Sequence, residues 1–287
     1  QKKKWDAAYG PKNTKLINSI ESGKMKGRDI TRWKYQRYIK DYLRCIKAVD
    51  ENVGRLLKYL DASGLAENTI VIYSSDQGFY LGEHGWYDKR WMFEESLAMP
   101  FLVRWPGVSP KGSESKTLIQ NIDYAPTFLE LAGAKIPKNI HGRSLVSAFK
   151  EPSKAPQDWR KSIYYAYYGE RTHRVAKHDG IRTQKHKLIH FPETKEWNLF
   201  DLEKDPSEMT SVHSKPEYLN ILTSLKSTYK EKKKTFAVNT ATVPVPRWDQ
   251  EWWRNRHREK VKLANKGNYD LLFLGDSITH GWENAGK

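Results

Sequence analysis

The chain has 287 residues, 38% hydrophobic and 29% charged, with 50 Lys and Arg against 34 Asp and Glu for a formal charge of +16. Eleven Trp, sixteen Tyr and nine Phe exclude a disordered chain, since such chains are poor in aromatics. No run approaches the ~18 apolar residues that span a bilayer, and the single cysteine, Cys45, excludes an intrachain disulfide and any cysteine-based zinc cage.

The charge is unevenly placed. Residues 1–60 carry 16 basic and 6 acidic residues, residues 61–225 carry 21 of each, and residues 226–287 carry 13 and 7. The excess therefore sits at the two ends. A basic excess attracts nucleic acid, anionic lipid or an anionic polymer, but no nucleic-acid reading element accompanies it, and no nucleic-acid partner is expected. Gln1 in place of Met, and a stop at Lys287 soon after a strand-like run, read as cut ends. The lack of an apolar signal core after Gln1-Lys2-Lys3-Lys4 is then silent about compartment.

Residues 1–30 are rich in Lys and turn formers, including Gly10-Pro11 and Gly23, and read as a surface segment. A long helix is predicted from about Thr31 to Ala62. Its apolar residues Tyr35, Ile39, Tyr42, Ile46, Val49, Val53, Leu56 and Leu60 recur at steps of three and four, and Gly64 supplies the stop. Cys45 lies beside that stripe and is expected to be a core thiol. The β-branched run Thr69–Tyr73 reads as a strand buried on both faces of a parallel sheet. Helix, short turn and buried strand make an α/β signature.

A second strand is predicted over Pro100–Trp105 and a third run near Thr117–Asn121, followed by a helix over Ala125–Ala132. Short strands at Ile163–Tyr168, Gly180–Thr183, Lys187–Phe191 and Trp197–Leu202 suggest a small antiparallel subdomain, with a helix after it at Pro216–Lys234. Residues 235–248 contain Pro244 and Pro246 without helical period and read as a linker. Asp249–Lys266 reads as a charged helix and Tyr269–Leu274 as another buried strand.

The loop over residues 76–91 leaves the carboxyl end of the first strand, where open α/β sheets bind ligands. Asp76 and Gln77 pair a carboxylate with a neutral oxygen, as hard cations such as calcium require. Lys89 and Arg90 place positive charge suited to an anionic ester in the same loop. Glycines 78, 82 and 85 allow tight folding around a ligand. The alternative reading has Asp76 and Gln77 capping turns and Lys89 and Arg90 solvated. A histidine such as His84, taken singly, is more often a structural hydrogen-bonding residue than a catalyst.

The block Thr69–Gly107 resembles the C-terminal half of type I sulfatases of the alkaline phosphatase superfamily. Ser75-Asp76-Gln77-Gly78, followed by Lys89, matches the family's second metal-ligand and sulfate-binding block. Asp123–Gly133, Ile140–Leu145 and Trp197–Pro206 match in order, so the resemblance covers about residues 30–235. Asp-Lys-Arg before an aromatic run with Glu is similar to glucosamine-6-sulfatases and glycosaminoglycan-type sulfatases.

The resemblance implies a partial sulfatase-like sheet-and-helix domain over 1–159 and a C-terminal subdomain over 160–234. It implies that Asp76 and Gln77 ligate Ca2+, that Lys89 is catalytic and holds the sulfate ester, and that His84, Arg90, His173 and His178 line the substrate, with solvated polar residues at a hairpin turn as the equal alternative for His173 and His178. The substrate would be a sulfated carbohydrate or polysaccharide, and the compartment periplasmic or secreted. The family's nucleophile is a formylglycine made from cysteine in a Cys-x-Pro/Ala-x-Arg motif. Cys45 is followed by Ile-Lys-Ala-Val and does not match, so that residue is expected upstream and the 287-residue chain alone is expected to be inactive. A phosphoesterase of the same superfamily and a noncatalytic binder of acidic polysaccharide are the alternatives.

Gly275-Asp276-Ser277-Ile278-Thr279, after Tyr269–Leu274 and before His280-Gly-Trp-Glu, resembles the first block of SGNH (GDS-type) hydrolases. Residues 249–287 would then be the truncated, flavodoxin-like start of a carbohydrate-esterase-like domain. Ser277 would be its nucleophile, with its partners missing.

Overall fold

Two sheets organise the residues that the computed structural model describes, which are 2–169, 173 and 175–237. Two helices precede them, α1 (Lys2–Glu21) and α2 (Arg28–Ala62). The expected turn-rich start is instead helical. Helix α1 runs through Pro11, which lacks the N–H that the helix ladder needs there. The Thr14 hydroxyl donates to the Gly10 carbonyl at 3.1 Å just beyond it.

Helix α2 ends as predicted. Gly64 adopts φ 72, its N–H reaches the Asp61 carbonyl at 3.3 Å, and the Leu65 N–H reaches Leu60 at 3.0 Å. This pair of bonds satisfies carbonyls that the helix end leaves open. The apolar stripe is only partly covered, however: Ile39, Tyr42, Val53 and Leu60 are half-buried, no residue of α2 is buried, and Tyr35, Ile46, Val49 and Leu56 are exposed. Cys45 is exposed too, contrary to the expected core thiol, because the layer it was read into is not packed against it.

Strand β1 (Val71–Ser74) pairs antiparallel with β2 (Phe101–Arg104), with Ile72 opposite Val103. The expected parallel, doubly buried strand is therefore not what these residues form. Strand β2 is its one sheet partner among the described residues, and Tyr73 and Leu102 are exposed. The other face is covered. Ile72, Phe101, Val103 and Trp105 pack on Leu145, Phe149 and Trp159, joined by Tyr124 of α4 (Tyr124–Leu131). Phe149 belongs to α5 (Val146–Lys150).

Residues 117–120 make no strand and lead straight into the turn before α4. That turn is fixed by Asp123, fully buried, whose two oxygens accept the N–H groups of Gln120 and Arg143, each at 2.8 Å, and the fork of Arg160. A buried carboxylate tolerates its lost hydration only when bonded in this way.

The predicted antiparallel subdomain is present as a four-stranded meander, β3 (Ser162–Tyr167), β4 (His178–Thr183), β5 (His186–Phe191) and β6 (Glu196–Asp201). Alternation along each strand sends side chains to opposite faces. Ile181, Leu188 and Leu199 face α6 (Leu219–Ala237), meeting Leu222, Leu225 and Tyr229. Ile189 and Phe200 face the other way, onto Tyr80, Met92 and Phe93 of the loop after β1. Each such buried aliphatic or Phe side chain stabilises by about 1.5–3 kcal/mol. The backbone comes close as well: a Cβ on Gly180 would lie 2.2 Å from the Leu188 carbonyl and 2.8 Å from the Met92 sulfur. Of the expected linker over 235–248, residues 235–237 instead continue α6, and the rest, the helix at 249–266, the strand at 269–274 and Ser277 lie outside the described residues.

Candidate active site

The end of β1 is pinned before the functional loop begins. The Ser74 hydroxyl donates to the Pro100 carbonyl at 3.0 Å and lies 2.6 Å from the Tyr124 hydroxyl. Asp76 and Gln77 follow, both half-buried. The Ser75 hydroxyl bonds the Gln77 carbonyl at 2.9 Å and reaches Asp76 Oδ1 only at 3.3 Å, leaving the carboxylate little engaged from within its own turn. Gly78 is required next. Its N–H donates to the Ser96 carbonyl at 2.8 Å, and a Cβ would stand 2.0 Å from the Glu95 carbonyl. The short helix α3 (Glu94–Leu97) thus lies directly against the Asp76–Gln77 segment.

The rest of the loop is held by aromatic packing. Tyr80 is fully buried, donates to the Trp91 carbonyl at 3.0 Å and accepts the Phe93 N–H at 3.3 Å. Burial pushes its phenol far above the ordinary value. His84 takes a left-handed conformation, φ 53, and stacks on Phe93 with ring centres 4.4 Å apart. Its Nε2 faces Glu95 Oε2 at 3.5 Å, and neither atom has a hydrogen-bond partner. Trp86 stacks on Trp91 at 4.8 Å, and Trp91 stacks on His178 at 5.2 Å. Lys89 emerges from this packed base with an exposed side chain, while Arg90 is ion-paired to Asp88.

His178 departs from the expected substrate-lining role. It is 1% exposed, accepts the Met92 N–H on Nε2 at 3.1 Å, and its Nδ1 donates to the Ala176 carbonyl at 2.8 Å. Both ring nitrogens are engaged with backbone, because the register of β4 turns this residue onto the face that carries the loop. Burial holds its pKa below the ordinary value, keeping the imidazole neutral as the acceptor role requires. His173 stands on an exposed turn between β3 and β4. Asp76, Gln77, His84, Lys89 and Arg90 thus lie along one loop, with His178 buried behind it.

Four further residues had no signal in the sequence. Lys187 is fully buried on β5, with Nζ 2.8 Å from Glu94 and 2.7 Å from Glu208, and Arg182 reaches Glu94 at 3.1 Å. Glu208 also accepts the Glu94 N–H at 2.7 Å. Burial works to raise the Glu94 carboxyl, but Lys187 and Arg182 outweigh it and hold the pKa low. Burial prevails at Glu208, which is raised. A lysine among strand residues carries no mark of this role, since its partners lie far away in sequence.

Residues 82–235 match the family model described as N-sulphoglucosamine sulphohydrolase, C-terminal, and residues 5–134 match that described as Sulfatase. The chain belongs to the sulfatase family. An N-acetylglucosamine-6-O-sulfatase of Bacteroides thetaiotaomicron is 45% identical over 238 residues, covering 82% of this chain and 42% of that protein. Human N-acetylglucosamine-6-sulfatase is 37% identical over 125 residues, 43% of this chain and 22% of that protein. The solved structure of BT4656 in complex with its substrate D-glucosamine-2-N,6-O-disulfate matches with a TM-score of 0.76 at 45% identity, covering 83% of this chain and 48% of that one. The sulfatase chain thus spans less than half the length of these relatives.

Sulfatases of the kind the sequence resembles hold a divalent cation. Asp76 and Gln77 fit as part of such a site, offering a carboxylate and an amide oxygen at the end of a pinned strand. A calcium ion takes about six to eight oxygens, and no group of three or more His, Cys, Asp or Glu comes together among the described residues. The two fit as a partial donor set.

Proposed function

We propose that this chain is the C-terminal part of a sulfatase that hydrolyses sulfate esters of glucosamine-containing carbohydrates, with residues 1–159 completing a catalytic domain and 160–234 forming its C-terminal subdomain. The observation that supports the reading is that the backbone next to the oxygen donors Asp76 and Gln77 and the backbone of the exposed Lys89 both bond Ser96 of α3, the Gly78 N–H at 2.8 Å and the Lys89 carbonyl at 2.6 Å. The 45% identity to an N-acetylglucosamine-6-O-sulfatase, and the fold shared with a sulfatase bound to a disulfated glucosamine, support the substrate class.

In this reading Asp76 and Gln77 hold a calcium ion, which supplies positive charge against the ester's oxygens. Lys89 contacts the sulfate group and stabilises the charge that grows as the S–O bond breaks. Arg90 and Asp88 border the sugar, and His84 shapes the loop beneath them. The nucleophile, a formylglycine by the family resemblance, belongs to a segment this chain does not contain. The SGNH resemblance of residues 269–283 is a separate proposal, since the family models end at residue 235. Labelling of Ser277 by an activated-serine probe in a protein extended past residue 287, and not in this chain, is its expected result.

The test is turnover of a 6-O-sulfated glucosamine by the full-length enzyme and its Lys89→Ala variant. The variant should lose about a hundredfold or more in kcat, as removal of a charge-stabilising donor does. Unchanged turnover by the variant, or sulfate release by the isolated 287-residue chain, overturns the reading. Stoichiometric calcium in the full-length protein is expected, and two bound zinc ions would favour a phosphoesterase.

A further inference from the structure

Lys89 lies in backbone that belongs to no helix or strand, so its direction depends on what holds its own peptide groups. Three consecutive carbonyls are each bonded from a different place: the loop itself, α3 and β3. The Asp88 carbonyl accepts the Tyr80 N–H at 2.8 Å, the Lys89 carbonyl accepts the Ser96 hydroxyl at 2.6 Å, and the Arg90 carbonyl accepts the Tyr165 hydroxyl at 2.6 Å. Irregular backbone with every carbonyl so bonded has few ways to shift.

Of these donors, Ser96 also bonds the backbone beside the Asp76–Gln77 segment. Its carbonyl accepts the Gly78 N–H at 2.8 Å, next to Gln77, and the missing side chain of Gly78 lets the two backbones meet. Ser96 is buried, and the α3 turn that carries it is anchored at Glu94 by Lys187 and Arg182 of the meander. One serine thus bonds the Lys89 segment through its side chain and the Asp76–Gln77 segment through its main chain.

We infer that Ser96 is a positioning residue that sets the distance between the metal-ligand segment and Lys89, acting through the Lys89 carbonyl. The inference rests on the proposed role of Lys89. Its two bonds are separable: Ser96→Ala removes the bond to Lys89 and keeps the carbonyl that receives Gly78. The metal segment should stay in place while the lysine loses its aim.

The experiment is a double-mutant cycle in the full-length enzyme, reading kcat, KM and calcium affinity. Ser96→Ala should lower kcat at least tenfold, with KM and calcium affinity within about twofold, because a loss confined to transition-state contacts appears in kcat. In the Lys89→Ala background the same change should cost less than twofold, since there is no lysine left to aim. Should Ser96→Ala fail to fold, Ser96→Cys, with a weaker donor of similar shape, gives the same readings with a smaller kcat loss. Three results overturn the inference: kcat within twofold in the single variant, an equal loss in both backgrounds, or a loss of calcium affinity that accounts for the whole effect. If Lys89→Ala is fully active, the functional reading falls with it; if Lys89→Ala is inactive and Ser96→Ala is active, only this inference falls.

Discussion

The meander with α6 and the region formed by α2, β1 and β2 use apolar residues of the same kinds and reach opposite outcomes. In the meander both faces are sealed, one by α6 and one by the loop after β1, and Ile181, Leu188, Ile189 and Leu199 are fully buried. In the other region Leu43, Ile46, Val49, Leu56 and Leu102 remain exposed, although their spacing on α2 is as regular as any in the chain. The difference lies in partners rather than composition. A helix or sheet face buries only what another layer covers, and the sulfatase chain spans under half the length of its relatives.

The contrast can be broken most severely at Lys187. Lys187→Ala leaves Glu208 and Glu94 facing each other without their shared cation, and removing one partner of a buried ion pair costs about 3–5 kcal/mol. Urea denaturation should show a loss of that size. Gly180→Ala comes next, because its new methyl meets the Leu188 carbonyl and Met92; overpacking of this sort costs about 1–3 kcal/mol by the same measurement.

His178→Leu should cost about 1–2 kcal/mol at neutral pH, since the Met92 N–H is left buried without an acceptor. It should also change the pH dependence. Burial sets the folded pKa of His178 below its ordinary 6.5, so the unfolded chain takes the proton first. The contribution is complete above pH 6.5 and is lost as pH falls from there through the folded value. Stability measured from pH 7.5 to 5 should fall less steeply in the variant. The smallest effect is expected on α2. Ile46→Lys and Leu56→Lys should each change stability by no more than about 0.5 kcal/mol while reducing light scattering at high concentration, because they interrupt an exposed apolar surface. A cost well above that would show that something in solution covers the helix.

Local signals made much of this legible. The 3.6-residue period and Gly64 mark α2 to within three residues of its start and at its end, and turn residues separate β3 to β6 close to their observed limits. Asp76, Gln77 and Lys89 stand out through residue type and spacing along one loop. What stayed hidden depends on contacts distant in sequence. The β-branched run of β1 predicts burial on both faces, yet burial is decided by neighbours that a run cannot name. His178 is expected from the sequence to line the substrate, and only the register of β4 shows that it faces inward. Ser96 is an ordinary serine until the Lys89 carbonyl is found 2.6 Å away.

The double use of the meander also sets an order of events during folding. Its hairpins join strands that follow one another along the chain, and such local pairing forms early. The loop carrying Lys89 docks on it through bonds between residues 75, 86 and 114 positions apart, at Tyr165, His178 and Glu208. Those loop closures come late, onto a surface already made. In a pulse-labelling hydrogen-exchange experiment the amides of β4 and β5 should gain protection before that of Met92. The meander would then be the template on which the loop carrying Lys89 takes its shape.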